Sequence, residues 1–256
     1  MNRTADAIIV GAGVIGSSVA FELAKRGYKT LNIDKLPTSG YGSTSNSCAI
    51  VRAHYSTWDG VAMAYEGFFY WDDWDDYIGV KDDRGMIKYM KTGSILFKLE
   101  GEDHSSKCLK LFKEIGVEHE IWDLEKLKEM IPIYSHDQYD GTTRPDEDDH
   151  FWDKTGKKIE GAVYTPGSGY VSDPQLTSHN LQVAAEANGG DFIFNSEITE
   201  IRQQDGKIEG VTLKTGEQID SPIVVNVAGP HSFVINRMAD VESDMNIKTR
   251  ALRHEV

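Results

Sequence analysis

Cysteine, positive charge and long apolar runs are all scarce in this chain, and each shortage removes a class of protein. Only 2 of the 256 residues are cysteine, Cys48 and Cys108. Two thiols make no disulfide framework, neither has the spacing of a metal site, and both fit a reducing compartment. Lysine and arginine number 27 against 41 aspartates and glutamates, a formal net charge of -14. Nucleic acid and anionic membrane surfaces repel so acidic a chain, which removes both as partners. No apolar run is long enough to cross a bilayer, and Met1–Asp6 is too short and too polar for a signal peptide, so a cytoplasmic location is expected. The sequence contains no internal repeat, and its length suits one large or two small domains.

Glycine is well supplied, and the informative glycines come early. The run Ala7–Val10 leads directly into Gly11, Gly13 and Gly16. A buried parallel strand, a tight turn at Gly11 and a side-chain-free approach at Gly13 make a dinucleotide-binding start, with Gly16 allowing close packing of the next helix. That helix, expected over 14–26 and stopped by Gly27, offers its free N–H groups and positive dipole end to a pyrophosphate. A second strand follows and ends in Asp34. Alone, Asp34 reads as a solvated turn residue or as the acid that holds ribose hydroxyls. The order strand, glycine turn, helix, strand, acid favours the ribose, and a carboxylate there disfavours the 2'-phosphate of NADP.

Beyond this unit the chain alternates. Residues 58–78 read as one long helix, 92–99 as a strand, 105–115 as a helix ended by Gly116, and 123–130 as a short helix closed by Pro132. Residues 134–158 are polar and turn-rich, with Asp146, Glu147, Asp148, Asp149 and His150 in a cluster read as a solvated loop and not as a metal site. Order resumes with a strand at 162–165 and a helix begun by Asp173 and Pro174, an N-cap followed by a proline in the first turn. Hairpin strands with turns at Asp205-Gly206 and Thr215-Gly216 lead to a last buried strand from Ile223 that ends in the turn Ala228-Gly229-Pro230.

Four separated segments carry a resemblance: residues 7–34, residues 42–55 (GSTSNSCAIVRAHY), residues 164–174 (YTPGSGYVSDP) and residues 224–230 (VVNVAGP). Together they resemble the D-amino-acid oxidase and sarcosine oxidase superfamily of FAD-dependent amine oxidoreductases. The resemblance implies an α/β fold, a Rossmann-like FAD-binding domain with an inserted α+β substrate domain built on a mostly antiparallel sheet. The FAD domain is expected at 1–86 and 161–236, the substrate domain at 87–160 and again from 237 to 256.

By the same resemblance, Gly11, Gly13 and Gly16 hold the pyrophosphate of FAD and Asp34 the adenosine ribose, with Val14, Ile15 and Lys35 also among the cofactor-binding residues. The turn at Ser43, Thr44 and Ser45 passes near the pyrophosphate and ring, Ile198 offers backbone to the adenine, and Ala228 and Gly229 allow a second close approach. Arg52 matches an arginine placed near the substrate carboxylate, which a planar guanidinium binds bidentately; it reads equally as a surface ion-pair partner. His54, beside it, is the other catalytic candidate, and with Tyr55 it either lines the substrate cavity or is satisfied by local hydrogen bonds. Some members attach flavin through a histidine in the turn that here reads Ser-Thr-Ser-Asn-Ser-Cys. No histidine stands there, so FAD is expected to be non-covalent, with Cys48 a small buried residue.

The expected reaction is oxidation of a secondary or tertiary amino acid of the sarcosine or dimethylglycine type, by hydride transfer from the carbon next to nitrogen to flavin and hydrolysis of the imine. Oxidation of a hydroxy acid or glycerol phosphate is the alternative within enzymes. Superfamily members continue past the element that here reads Thr249–Val256, whose last five residues look like the start of a strand. The chain is therefore expected to be a fragment of a longer enzyme, or one part of a split one completed by a separate polypeptide, or a non-catalytic FAD-binding subunit. No general base can be named within it.

Overall fold

Four consecutive apolar residues with both faces covered can only be a central strand, and Ala7–Val10 is one: all four side chains are buried. The computed structural model describes residues 3–139 and 153–241. The acidic run through His150, the substrate segment expected beyond 241 and the strand expected over 252–256 lie outside those residues. Within them, Ala7–Val10 pairs in parallel with Thr30–Ile33 on one side and Val224–Asn226 on the other, and Asp191–Ile193 completes a four-stranded parallel sheet. Ile8 lies opposite Leu31 and Val224, and Val10 opposite Ile33 and Asn226.

The chain divides into two compact units, and the first contains this sheet. The helix Val14–Ala24 crosses between the first two strands and packs on the helix Pro174–Ala187. That second helix starts as its sequence dictates, with the Asp173 carboxylate accepting from the Leu176 N–H at 2.9 Å and proline in the first turn. The other face of the sheet is covered by an antiparallel layer, Ile198–Gln204, Lys207–Leu213 and Gln218–Asp220, with the short strand Arg3–Thr4 at its edge. Ile8, Val10, Leu31 and Ile33 meet Ile198, Ile201, Val211, Leu213 and Ile219 there as one buried cluster. A helix Ser232–Met238, which the sequence reading did not anticipate, follows the last parallel strand and adds Ile235 and Met238 to the rim of that cluster.

The second unit comprises Ile50–Asp72 and Tyr89–Tyr170. Its sheet is antiparallel, with Lys154–Thr165 at the centre between Ser94–Leu99 and Glu120–Asp123. The helices Trp58–Asp72 and His104–Ile115 bury Val61, Phe68, Cys108 and Phe112 with Ala53, Val117 and Val163. Gly116 ends the second helix in the left-handed conformation, as its position suggests.

Four expectations are corrected. Cys48, expected to be buried, is exposed. The helix expected over 58–78 is two helices, Trp58–Asp72 and Trp74–Ile78, broken at Asp73. The break seats Asp75 and Asp76 in the first turn of a new helix, where carboxylates are favoured over a mid-helix position, and it coincides with the boundary between the units. The strand expected at 162–165 begins at Lys154. Its first half pairs with Asp137–Tyr139, and Lys154 and Lys158 both form ion pairs with Asp137, so exposed pairing and charge extend it where no apolar signal exists. The division between units also differs from the domain limits drawn from sequence. Residues 161–170 finish a strand already committed to the second unit, and 50–72 carry that unit's core residues Ala53, Val61 and Phe68.

Candidate cofactor site

The turn between Val10 and Val14 is held from several directions. Gly11 has φ 112°, a conformation that excludes ordinary side chains, and a Cβ there would lie 2.6 Å from the Val227 carbonyl oxygen. A Cβ on Gly16 would lie 2.0 Å from the Gly11 carbonyl oxygen. These two glycines are required by the protein's own backbone. Gly13 is different: its missing Cβ would meet only Thr44 Oγ1, at 3.2 Å.

The turn's polar groups are largely accounted for. The Gly11 N–H donates to the Ile33 carbonyl, the Ala12 N–H to Asp34 Oδ2 at 2.8 Å, and the Val14 N–H to Thr44 Oγ1 at 3.1 Å. The Ala12 carbonyl accepts from the Gly40 N–H at 2.8 Å and from Ser17 Oγ. What remains without an acceptor among the described residues is a set of donors, the N–H groups of Gly13, Ile15 and Gly16, at the start of an eleven-residue helix. Unpaired amides at a helix N-terminus form an anion site.

These residues line a cavity of about 730 Å³ that lies wholly in the first unit. Of the cofactor residues expected from sequence, Gly11, Gly13, Val14, Ile15, Gly16, Asp34, Lys35, Ser43, Thr44, Ile198, Ala228 and Gly229 all face it. Ser45 does not. Its hydroxyl donates to the carbonyls of Tyr41 and Gly42, so it shapes the loop from behind. Asp34 uses one oxygen on the Ala12 N–H and the other on the Leu36 N–H at 2.9 Å. A carboxylate has about four acceptor positions, so two remain for hydroxyl donors. The sequence reading missed Leu36, Ser47, Ser196 and Glu197, and an apolar wall from Pro230 through Val234, Ile235 and Met238. The spacing of Val234, Ile235 and Met238 on one face of a helix was the only available signal.

Arg52 and His54 belong to the second unit and stand in opposite environments. Arg52 is exposed, with its guanidinium carbon 5.9 Å from the centre of the Tyr55 ring. His54 is only 4% exposed, and its Nε2 lies 3.0 Å from Thr165 Oγ1, which in turn is 2.8 Å from Ser168 Oγ. Burial, followed by the charges of Arg52 and His104, pushes the imidazole down to about 4, so it is neutral at physiological pH. His54 is thus hydrogen-bonded inside its own unit.

The profile of the FAD dependent oxidoreductase family (DAO) matches residues 6–256. The chain belongs to that family. Its cofactor is FAD, and as a member it has the expected α/β architecture. It is similar to the glycerol 3-phosphate dehydrogenase of Caloramator mitchellensis, 27% identical over 241 residues that cover 91% of this chain and 43% of that protein. It is similar to the monomeric sarcosine oxidase of a Bacillus species, 23% identical over 248 residues, 94% of this chain and 56% of the relative. Among solved structures it shares its fold with the L-proline dehydrogenase from P. horikoshii, with a TM-score of 0.76 and 21% identity, covering 95% of this chain and 58% of that one. The chain spans about half the length of these two curated relatives. The residues present fit the cofactor: three unclaimed N–H groups, a glycine that leaves room beside them, and a carboxylate with spare acceptor positions share one cavity.

Proposed function

We propose that this chain carries the FAD site of an enzyme that oxidises a secondary or tertiary amino acid of the sarcosine or dimethylglycine type. The observation that carries the cofactor half is the cavity in which the glycine turn, Asp34, Ile198 and Ala228-Gly229 converge. In this reading the N–H groups of Gly13, Ile15 and Gly16 donate to the pyrophosphate, with the helix dipole favouring its charge. Asp34 accepts from the ribose hydroxyls, Lys35 covers them, and Ser43 and Thr44 close the turn over the phosphates. Backbone at Ile198 lies against the adenine, and the small residues Ala228 and Gly229 leave space for close approach. FAD is held without a covalent bond through residues 43–48, which contain no histidine.

When bound, FAD supplies the acceptor for a hydride equivalent taken from the carbon next to the amine nitrogen. Arg52 supports the amino-acid half: an exposed guanidinium, steadied over the Tyr55 ring, is free to bind a carboxylate through two parallel hydrogen bonds. His54, neutral and bonded to Thr165, anchors the segment from which Arg52 projects. A second reading, oxidation of glycerol 3-phosphate, is favoured by the higher identity of the Caloramator relative; there the same guanidinium binds a phosphate.

The test is a visible spectrum of the purified chain, acid release of its flavin, and then anaerobic addition of sarcosine, dimethylglycine or glycerol 3-phosphate to separate samples. Acid-released FAD and bleaching of the flavin band by an N-methyl amino acid are expected. Bleaching by glycerol 3-phosphate alone replaces the amine with the second reading, and a chain without flavin removes the cofactor assignment. Arg52→Ala is expected to raise the substrate concentration needed for half-maximal bleaching by about tenfold, with FAD retained. An unchanged requirement would make Arg52 a surface residue.

A further inference from the structure

The strand Thr30–Ile33 is buried on both faces, and such a strand ordinarily consists of apolar residues. Asn32 sits in its middle with no exposure at all. Its Nδ2 donates to the Gly16 carbonyl at 3.1 Å and to the Gly11 carbonyl at 3.3 Å. Its Oδ1 is buried with no hydrogen-bond partner. A leucine or valine there would fill the space without stranding a polar atom, so for stability alone the amide is a poor choice. A residue that breaks a local rule at a stability cost points to a role elsewhere.

We infer that Asn32 is a positioning residue of the cofactor site, whose amide ties together the carbonyls of Gly11 and Gly16 at the two ends of the glycine turn. Those carbonyls belong to the peptides that flank the unclaimed donors. Turning the Gly11 carbonyl inward commits the following peptide planes, and the turn then has little freedom to present anything but N–H groups at Gly13, Ile15 and Gly16. Ser17 Oγ and the Gly40 N–H hold the Ala12 carbonyl in the same way. Every carbonyl of the turn from Gly11 to Gly13 is thus engaged on the protein side, the Gly13 carbonyl by the Ser17 N–H at 2.9 Å. An anion meets donors without opposing acceptors, and the turn need not reorganise to receive it. Asn32 itself touches no cofactor atom in this scheme; it acts through the two glycine carbonyls.

This inference rests on the FAD reading, and the experiment separates the two. FAD is titrated into the deflavinated chain and into Asn32→Leu by fluorescence quenching, with the thermal midpoint of each measured in the absence of FAD. The expected result is an FAD dissociation constant about tenfold higher for Asn32→Leu while its cofactor-free midpoint stays the same or rises, a split that a purely structural residue does not give. Asn32→Asp keeps the volume but sets oxygen against oxygen, and is expected to bind FAD more weakly still. Should Asn32→Leu not fold, Asn32→Ala and Asn32→Ser, too short to reach both carbonyls, make the same comparison. Affinity within twofold of wild type, or affinity falling only in step with the midpoint across all variants, overturns the inference. A wild-type chain that binds no FAD overturns the reading beneath it.

Discussion

The glycine turn of the first unit and the Arg52–Tyr55 segment of the second carry the two halves of the proposed chemistry, and they are made of different material. The turn is backbone: its donors are amides, its geometry is set by missing side chains, and every fixing contact is local or one strand away. The Arg52–Tyr55 segment works through side chains, one exposed guanidinium beside one buried imidazole. A backbone site needs particular residues wherever a side chain would collide, so it leaves a spaced signature. A side-chain site needs only a residue type at a place the fold chooses, and any exposed arginine looks alike in sequence.

The comparison is broken most directly at Gly16. Gly16→Ala pushes a methyl to within 2.0 Å of the Gly11 carbonyl oxygen, and overpacking against backbone of this kind should cost at least about 3 kcal/mol of stability. A thermal midpoint equal to wild type would show that the turn is not the rigid object described. Gly13→Val tests the opposite property of the same motif. Only Thr44 Oγ1 stands near a Cβ at that position, so the fold should persist while FAD affinity falls at least about 100-fold, equivalent to ~2.7 kcal/mol. Retained FAD would place the phosphates elsewhere.

His54 sharpens the side-chain half. Its pKa falls from 6.5 unfolded to about 4 folded. The unfolded chain therefore binds the proton first as pH falls. The stability contributed by the neutral imidazole is present in full above 6.5 and is lost as pH drops toward 4, up to about 3 kcal/mol in all. Denaturant midpoints measured across that window should decline for wild type and decline less for His54→Gln. Parallel curves would mean that the imidazole is solvated.

This contrast also explains what could be read from sequence. Gly11, Gly13, Gly16 and Asp34 were legible because each answers to a steric or acceptor demand at fixed spacing, and the caps at Asp173 and Gly116 follow the same logic. Asn32 was not picked out, although a buried amide between Leu31 and Ile33, two residues before Asp34, is a visible anomaly. The wall formed by Val234, Ile235 and Met238 escaped because four apolar residues in a seven-residue helix, three of them consecutive, give too little periodicity. The first half of the strand Lys154–Thr165 escaped because backbone pairing with Asp137–Tyr139 and ion pairs to Asp137, not an apolar face, hold it in place. His54 looked like chemistry because its sequence neighbours do; only the fold shows the hydroxyls of Thr165 and Ser94 beside its Nε2.

The pairing of Ile8 with Val224 has a consequence in time. The strand Ala7–Val10 leaves the ribosome well before Val224–Asn226, so one of its edges waits for a partner made near the other end of the described chain. At typical synthesis rates of 5–20 residues per second, that wait lasts roughly ten to forty seconds. Gly11 leans on the Val227 carbonyl, so the nascent turn stays unfinished for the same interval. During it, a buried-type strand with an open edge is available for wrong pairing. Yield in the cell should therefore depend on how quickly the chain is elongated and shielded, as much as on how stable the finished protein is.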